Sequence, residues 1–400
     1  MRISFETIRF APSPQGVVGL LYRYFRFELF SDELSRIGEY AVVDGGIEFV
    51  AHEKKRSLFM GMLSEALTHR LVCTITNRPS TYIDASSGVP LYGALEFGII
   101  DRGTNVLEIR PMSGCNLACT YCSVSEGPNG PKIRDLIIQR EYFVSEFAKI
   151  AAVKKKPLEV YIETQGEPLL YWELPELIAD LKRLYSVTRV TMVTNGTLLT
   201  RERVHALKEA GLDRINWSIN SLRSDRAEEI AGMRYDVEQI KKMILYAKEH
   251  IDVLMCPVIM RGVNDDEFED FIRFGLEVRS EQPVVAFQNF LYYKGGRNPV
   301  KEVSWDGFSD RIKELEAAFT TRLLLGPEDF SIEYDETFEK PFKKRDVVEV
   351  EYLFKGRLRN EAFCTAAGRI VKVIGRYPDK KRFSVRIIRD KHNVFLATTL

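Results

Sequence analysis

The sequence predicts an α/β chain: a partial, TIM-like (β/α)6 barrel with an N-terminal α+β unit before it and a small C-terminal β-barrel after it. Three observations carry that expectation. Between residues 105 and 290, six short β-rich runs alternate with amphipathic helical stretches, the pattern of parallel strands joined by right-handed crossovers. That stretch is under 190 residues, short of the about 250 that a closed eight-unit barrel takes. Six units fit, and an open doubly wound sheet is the other arrangement. After residue 345 the pattern changes to closely spaced valine-rich runs with turn residues between them, which suits a small barrel.

Residues 1–100 form the α+β unit. "EYAVVDGGIEFVAH" reads as a hairpin turning on Asp44, Gly45 and Gly46, because Asp-Gly turns adopt the left-handed conformations a tight hairpin needs. "EKKRSLFMGMLSEALTHR" has helical periodicity and "LVCTITN" reads as a strand. No chemical motif occurs here, so this unit is expected to pack or to position substrate. Residues 101–300 hold the six units, with strands "NVLEIRP", "LEVYIET", "RVTMVTN", "RINWSIN", "VLMCPVIM" and "VVAFQNF". Residues 301–339 are a helical connector around "WDGFSDRIKELEAAF". Residues 340–400 supply the barrel strands "DVVEVEYLF", "AGRIVKVIGRY", "RFSVRIIRD" and "NVFLATT".

The chain is 45% hydrophobic and 28% charged, with no net charge. Its start, "MRISFETIRFAPSPQG", lacks the basic-then-apolar pattern of a secretory signal. No apolar run reaches the about 20 residues of a membrane span. A cytoplasmic protein without a membrane partner is expected, and in that reducing compartment close cysteines point to metal binding or catalysis. The neutral total hides a division. From Lys340 to Leu400 there are 16 Lys and Arg against 6 Asp and Glu, while the first 339 residues carry 41 against 51.

Architectures of this kind place chemistry at the carboxyl ends of the strands, and a cysteine trio follows the first of them. In "PMSGCNLACTYCS", Cys115, Cys119 and Cys122 lie within eight residues. Thiolates so spaced bind zinc or an iron–sulfur cluster. A structural zinc needs a fourth protein ligand, yet no Cys or His follows within 50 residues. A 4Fe–4S cluster on three cysteines instead leaves one iron open. Gly114 and Asn116 sit where a chain must wrap closely around a cofactor.

"CNLACTYC" resembles the CxxxCxΦC signature of the radical S-adenosylmethionine (radical SAM) superfamily, with Tyr121 as the aromatic residue. The resemblance implies a 4Fe–4S cluster whose open iron binds SAM. It also implies reductive cleavage to a 5′-deoxyadenosyl radical and hydrogen abstraction from an unactivated carbon. "ETQGEPLL" is similar to the family's GGEPLL turn, with Gln165 in place of the first glycine and Gly166, Glu167 and Pro168 retained. "VTNGTLL" matches a frequent turn after the third strand and brings in Asn195. "WSINSL" resembles the strand that reaches the SAM ribose or carboxylate, implying Ser218 and Asn220. Arg234 lies where many members hold the SAM carboxylate, and "PVIMRGVNDD" resembles the segment near adenine. An electron donor such as a ferredoxin or flavodoxin is implied as well.

The basic end resembles the TRAM-like or OB-like barrels appended to RNA-modifying enzymes, in "RDVVEVEYLFKGRLRNEAF" and "AGRIVKVIGR". Lys355, Arg357 and Arg359, with Lys380, Lys381 and Arg382, are the expected phosphate contacts, and Phe354 and Tyr377 the expected stacking rings. RNA modification, of tRNA in particular, is therefore the reading, and a chain cut before residue 340 should lose RNA while keeping its cluster. The alternatives are a radical SAM enzyme acting on a peptide or protein, and a non-catalytic iron–sulfur protein that binds RNA or senses redox state. Cys73, Cys256 and Cys364 read as small buried apolar residues.

Overall fold

The computed structural model describes residues 1–279 and 281–400. Its centre is a six-stranded sheet in the order Asp252–Met255, Arg214–Trp217, Val187–Thr194, Leu158–Ile162, Val106–Arg110 and Gly98–Asp101. The first five pair in parallel, and Gly98–Asp101 closes one edge antiparallel to Val106–Arg110. The sixth parallel unit shrinks to a Met255–Val285 bridge and the pairing of Val258–Ile259 with Gln288–Asn289. Pro257 interrupts the fifth strand, and a proline offers no N–H to the ladder. The partial barrel is as expected; its antiparallel edge was not legible.

The two faces of this sheet differ sharply. Leu107, Ile109, Val160, Ile162, Val190, Met192, Ile215, Trp217 and Val253 are buried on the face that carries the crossover helices. These include Arg140–Ala151, Leu174–Lys182, Arg201–Glu209, Val237–Ala247 and Phe268–Val278. Strand alternation puts Glu108, Arg110, Tyr161, Glu163, Thr191, Arg214, Asn216 and Asp252 on the inner face. Ion pairs stitch that face together: Arg214 and Arg279 both reach Asp252, at 3.1 and 2.9 Å.

The N-terminal unit holds the predicted hairpin, Tyr40–Val43 against Gly46–Phe49, and the predicted helix, Arg56–His69. Its larger sheet is a meander of Ile8–Ser13, Gly16–Leu21 and Phe25–Phe30, extended by Val72–Cys73 and Arg78–Ile83. "LVCTITN" yields only the two-residue strand; a turn with Asn77 at φ 55° follows it. The sixth strand of this sheet, Asp135–Ile138, comes from just beyond the cysteine loop and pairs in parallel with Arg78–Ile83. The helix Trp305–Phe319 occupies the connector.

The C-terminal unit is a closed five-stranded barrel of Val347–Lys355, Glu361–Ala366, Arg369–Ile374, Arg382–Arg389 and Phe395–Thr399. The last strand lies parallel to the third and antiparallel to the fourth. No helix among the described residues is long and apolar enough to cross a membrane.

Candidate functional site

The cysteine loop leaves the Val106–Arg110 strand and crosses the carboxyl ends of its neighbours. Ser113 and Gly114 pair in parallel with Gln165 and Gly166, which draws the start of the loop against the turn after the second parallel strand. Gly114 sits at φ 102°. A Cβ on Gly166 would lie 1.9 Å from the Gly114 carbonyl oxygen, so only glycine permits this approach.

Cys115, Cys119 and Cys122 line one cavity of about 200 Å³ together with Tyr121, Gly166, Glu167, Asn195 and Ser218. Tyr121, Asn195, Ser218 and Asn220 also line a smaller adjoining recess. Residues expected from four separate turns therefore meet in one place. Arg234 does not join them: it is exposed and lines neither cavity. The neighbouring Tyr235 faces the recess instead, and its hydroxyl donates to the Asn195 carbonyl at 3.2 Å. In this structure the turn named by the resemblance faces the recess through Tyr235, with Arg234 on its solvent side.

The loop is held by donors that suit thiolate ligands. The Leu117 N–H points to Cys115 Sγ at 3.4 Å and the Glu126 N–H to Cys122 Sγ at 3.3 Å. Arg297 donates to the Cys119 carbonyl at 3.0 Å, and its own N–H to the Cys122 carbonyl at 2.9 Å. Burial raises the Cys119 thiol to about 12 and the Cys115 thiol well up; ligation to a metal reverses this by deprotonating the thiol outright. No three Cys, His, Asp or Glu side chains among the described residues gather as one ion requires. A cluster, which gives each thiolate its own iron, fits these spaced thiols better than zinc does. Such a cluster would be held by Cys115, Cys119 and Cys122.

Glu167 is buried and its carboxylate is largely committed. Oε1 accepts from Thr194 Oγ1 at 2.6 Å and the Leu169 N–H at 3.0 Å, and Oε2 from the Asn195 N–H at 2.9 Å. Of the roughly four acceptor positions of a carboxylate, one is left. Burial raises its pKa to about 7 despite these donors. Asn195 Nδ2 donates to Asn116 Oδ1 at 3.1 Å and lies 4.0 Å from Cys115 Sγ. Asn220 Nδ2 donates to the Tyr121 hydroxyl at 2.6 Å, while its Oδ1 accepts the Val258 N–H at 2.8 Å. Asn264 is fully buried and staples Asn220 to Val258.

The barrel residues divide. Lys355, Arg359, Lys380, Lys381 and Arg382 are exposed, although Lys381 and Arg382 both pair with Glu351. Arg357 is fully buried and is no nucleic-acid contact. Its guanidinium bonds Glu126, Asp135 Oδ1 at 2.9 Å and the Arg134 carbonyl at 3.1 Å; a motif of alternating cations gave no sign that one pointed inward. Phe354 is half-buried against Phe363, and Tyr377 stacks on Tyr352 at 5.9 Å. Cys73, Cys256 and Cys364 are buried away from the cysteine cavity.

A three-thiol loop at the strand ends of a parallel sheet, facing polar turns from the next strands, fits an iron–sulfur cluster that would keep one iron for a second ligand. Residues 109–275 match the family model of the radical SAM superfamily. An uncharacterised protein of Methanocaldococcus jannaschii is 30% identical over 390 residues, covering 89% of this chain and 90% of that protein. The GTP 3',8-cyclase of Aquifex aeolicus is 35% identical over 182 residues, 44% of this chain and 54% of the cyclase, so this chain spans about half of that relative. Among solved structures, Streptococcus suis SuiB bound to precursor peptide SuiA has 18% identity and a TM-score of 0.41 over 81% of this chain and 72% of SuiB. TYW1 with a lysine-pyruvate adduct has 15% identity and a TM-score of 0.39 over 74% of this chain and 84% of TYW1. The chain belongs to the radical SAM superfamily, whose members use a 4Fe–4S cluster and SAM.

Proposed function

We propose that this radical SAM protein modifies RNA, with tRNA as the substrate, at an unactivated carbon. When bound, the cluster and SAM supply a one-electron cleavage that yields a 5′-deoxyadenosyl radical. The chain's own residues do the rest. Gly166 and Gly114 let the two strand ends close over the cavity, and Glu167 fixes the Thr194–Asn195 turn opposite Cys115. Asn220 orients Tyr121 beside the cysteines. Arg234, exposed near this turn, reaches SAM only if its side chain folds inward. Members of the family need an electron donor, and a ferredoxin or flavodoxin is the class proposed.

The observation that carries the RNA reading is a groove of about 680 Å³ between the N-terminal unit and the first barrel strand, lined by Arg134, Tyr352, Phe354 and Lys355. Aromatic rings and cations in one groove suit a single strand, by base stacking and phosphate contact. The barrel's excess of 16 cations over 6 anions supports the same reading. The test is nucleoside mass spectrometry of tRNA from a deletion strain, together with 5′-deoxyadenosine release by the reduced protein. A missing nucleoside restored by the gene is the expected result; an unaltered profile excludes tRNA.

A further inference from the structure

The wall of the cysteine cavity carries a carboxylate that no other side chain among the described residues bonds. Glu163 follows the Leu158–Ile162 strand and lines the cavity together with Ser123, Val124 and Glu126. Its backbone N–H is spent on the Ile109 carbonyl at 3.1 Å, but its carboxylate has no hydrogen bond or ion pair among the described residues. Arg110 bears on it electrostatically and keeps a buried Nε without a partner, yet makes no bond to it. Arg102 and Arg110 both bond Glu108, and Arg110 also donates to the Leu95 carbonyl. Burial pushes the Glu163 carboxyl upward, with Arg110 opposing.

Two more polar groups stand unpartnered, one in the same wall and one two strands away in the sheet. Thr164 Oγ1, in the wall of the same cavity, is buried without a hydrogen bond. So is Asn216 Oδ1, on a residue only 8% exposed. Asn216 pairs with Val193, which lines the cavity, so it belongs to the inner-face row that continues from Glu163. A buried polar atom without a partner bears the cost of its lost hydration uncompensated. In the cavity wall next to the cysteines, then, a half-buried carboxylate and a hydroxyl stand free, an acceptor pair and a donor open to a ligand that offers N–H groups beside a carbonyl.

We infer that Glu163, with Thr164 in the same wall, is the recognition subsite for a guanine base, held with its Watson–Crick edge toward the carboxylate. Guanine presents N1–H and N2–H2 side by side, a pair of donors that a carboxylate accepts in bidentate fashion, and its O6 takes the threonine hydroxyl. Uracil offers one ring N–H there, while adenine and cytosine offer an amino group beside an acceptor that a carboxylate repels. The inference rests on the nucleic-acid reading above for its choice among N–H donors. A guanine arrives either as a free nucleotide or within RNA, and the experiment separates the two.

Cluster-loaded wild-type protein, E163Q and T164V are titrated with GMP and IMP, then with a short single-stranded RNA carrying guanosine or inosine at one central position. Inosine lacks only the N2 amino group. The wild type should prefer guanosine by roughly tenfold, the scale of one good polar pairing, and E163Q should lose that preference while T164V weakens it. Visible absorbance of the cluster reports whether each variant is intact. A guanosine preference for GMP with no RNA binding keeps the subsite and removes RNA as its source. RNA that binds with guanosine and inosine equal overturns the subsite and leaves the RNA reading standing. Equal or absent binding of both mononucleotides and both RNAs overturns it as well. The guanosine–inosine comparison needs no variant, so a misfolded E163Q does not rescue the proposal.

Discussion

Arg357 and Glu126 are 231 residues apart in the chain and hydrogen-bonded in its interior. Arg357 leaves the first strand of the C-terminal barrel fully buried, and Glu126 is 2% exposed. Glu126 in turn directs its N–H at Cys122 Sγ. Asp135, also bonded by Arg357, lies on the strand that joins the N-terminal sheet. Arg78 of that sheet lies 3.5 Å from Glu126 and 3.6 Å from Asp135. Two arginines and two carboxylates thus tie three parts of the chain to the loop that holds the cysteines.

Removing one partner of such a network leaves a charge buried without compensation, which costs about 3–5 kcal/mol. Arg357→Met should lower the thermal midpoint and the iron bound per chain, because the Glu126 end of the loop loses its anchor. A chain ending at residue 339 should do worse, since Lys372, which bonds Glu96 and Glu361, goes with it. The structure therefore counts against the expectation that a truncated chain keeps its cluster. Iron analysis of the truncated protein decides the matter, and a full complement of iron would refute the coupling.

The groove beside the barrel makes a separate prediction. Tyr352→Ala should weaken RNA binding by about 1–3 kcal/mol, the worth of one stacked base. Lys355→Ala should cut affinity for all sequences alike and reduce the salt slope by about one. Lys381→Ala should matter less, because Glu351 already takes that charge. Affinities measured across a salt series distinguish these outcomes, and equal slopes for wild type and Lys355→Ala would exclude the groove as the phosphate track.

What could be read in advance follows a physical line. Periodicity exposed the parallel strands and their helices, since alternating and 3.6-residue patterns are local. Spacing exposed Cys115, Cys119 and Cys122, because a loop that wraps a cofactor is also local. The second barrel strand, Glu361–Ala366, was hidden because its polar ends and free cysteine break the valine pattern. Arg357 was misplaced because exposure and burial of an arginine depend on partners 222 and 231 residues away. Glu163 was passed over for the same reason: its significance is a carboxylate in the cavity wall that no described side chain bonds, and no stretch of sequence states that.

Gly166→Ala tests the closure of the loop. The added Cβ would meet the Gly114 carbonyl oxygen at 1.9 Å and its carbon at 2.6 Å, both backbone atoms with no side chain to move aside. The pairing of Gly114 with Gly166 must then open, which shifts Cys115, the next residue. The variant should fold, because the sheet beneath is untouched, yet hold less iron and bind SAM more weakly. A circular-dichroism spectrum like the wild type with iron lowered severalfold is the expected pair of readings; wild-type iron content would contradict it.

Glu167 predicts a pH dependence whose sign follows from burial. Its pKa rises from 4.5 to about 7 on folding, so between those values the folded chain holds a proton that the unfolded chain has released. Stability contributed by this group is full below about pH 4.5 and is lost as pH climbs to 7. The loss is on the order of 3 kcal/mol at 1.36 kcal/mol per pH unit. Glu167→Gln cannot ionise and should abolish that slope. It should also be less stable than the wild type at every pH. Its amide nitrogen must replace one of two oxygens that accept N–H groups from Leu169 and Asn195, leaving two donors facing each other. Denaturant titrations of both proteins at pH 5 and pH 7.5 separate the effects. The wild type should lose stability relative to the variant as pH rises, and a gap between them that stays constant would show that the carboxylate is ionised throughout, held by the three groups that donate to it.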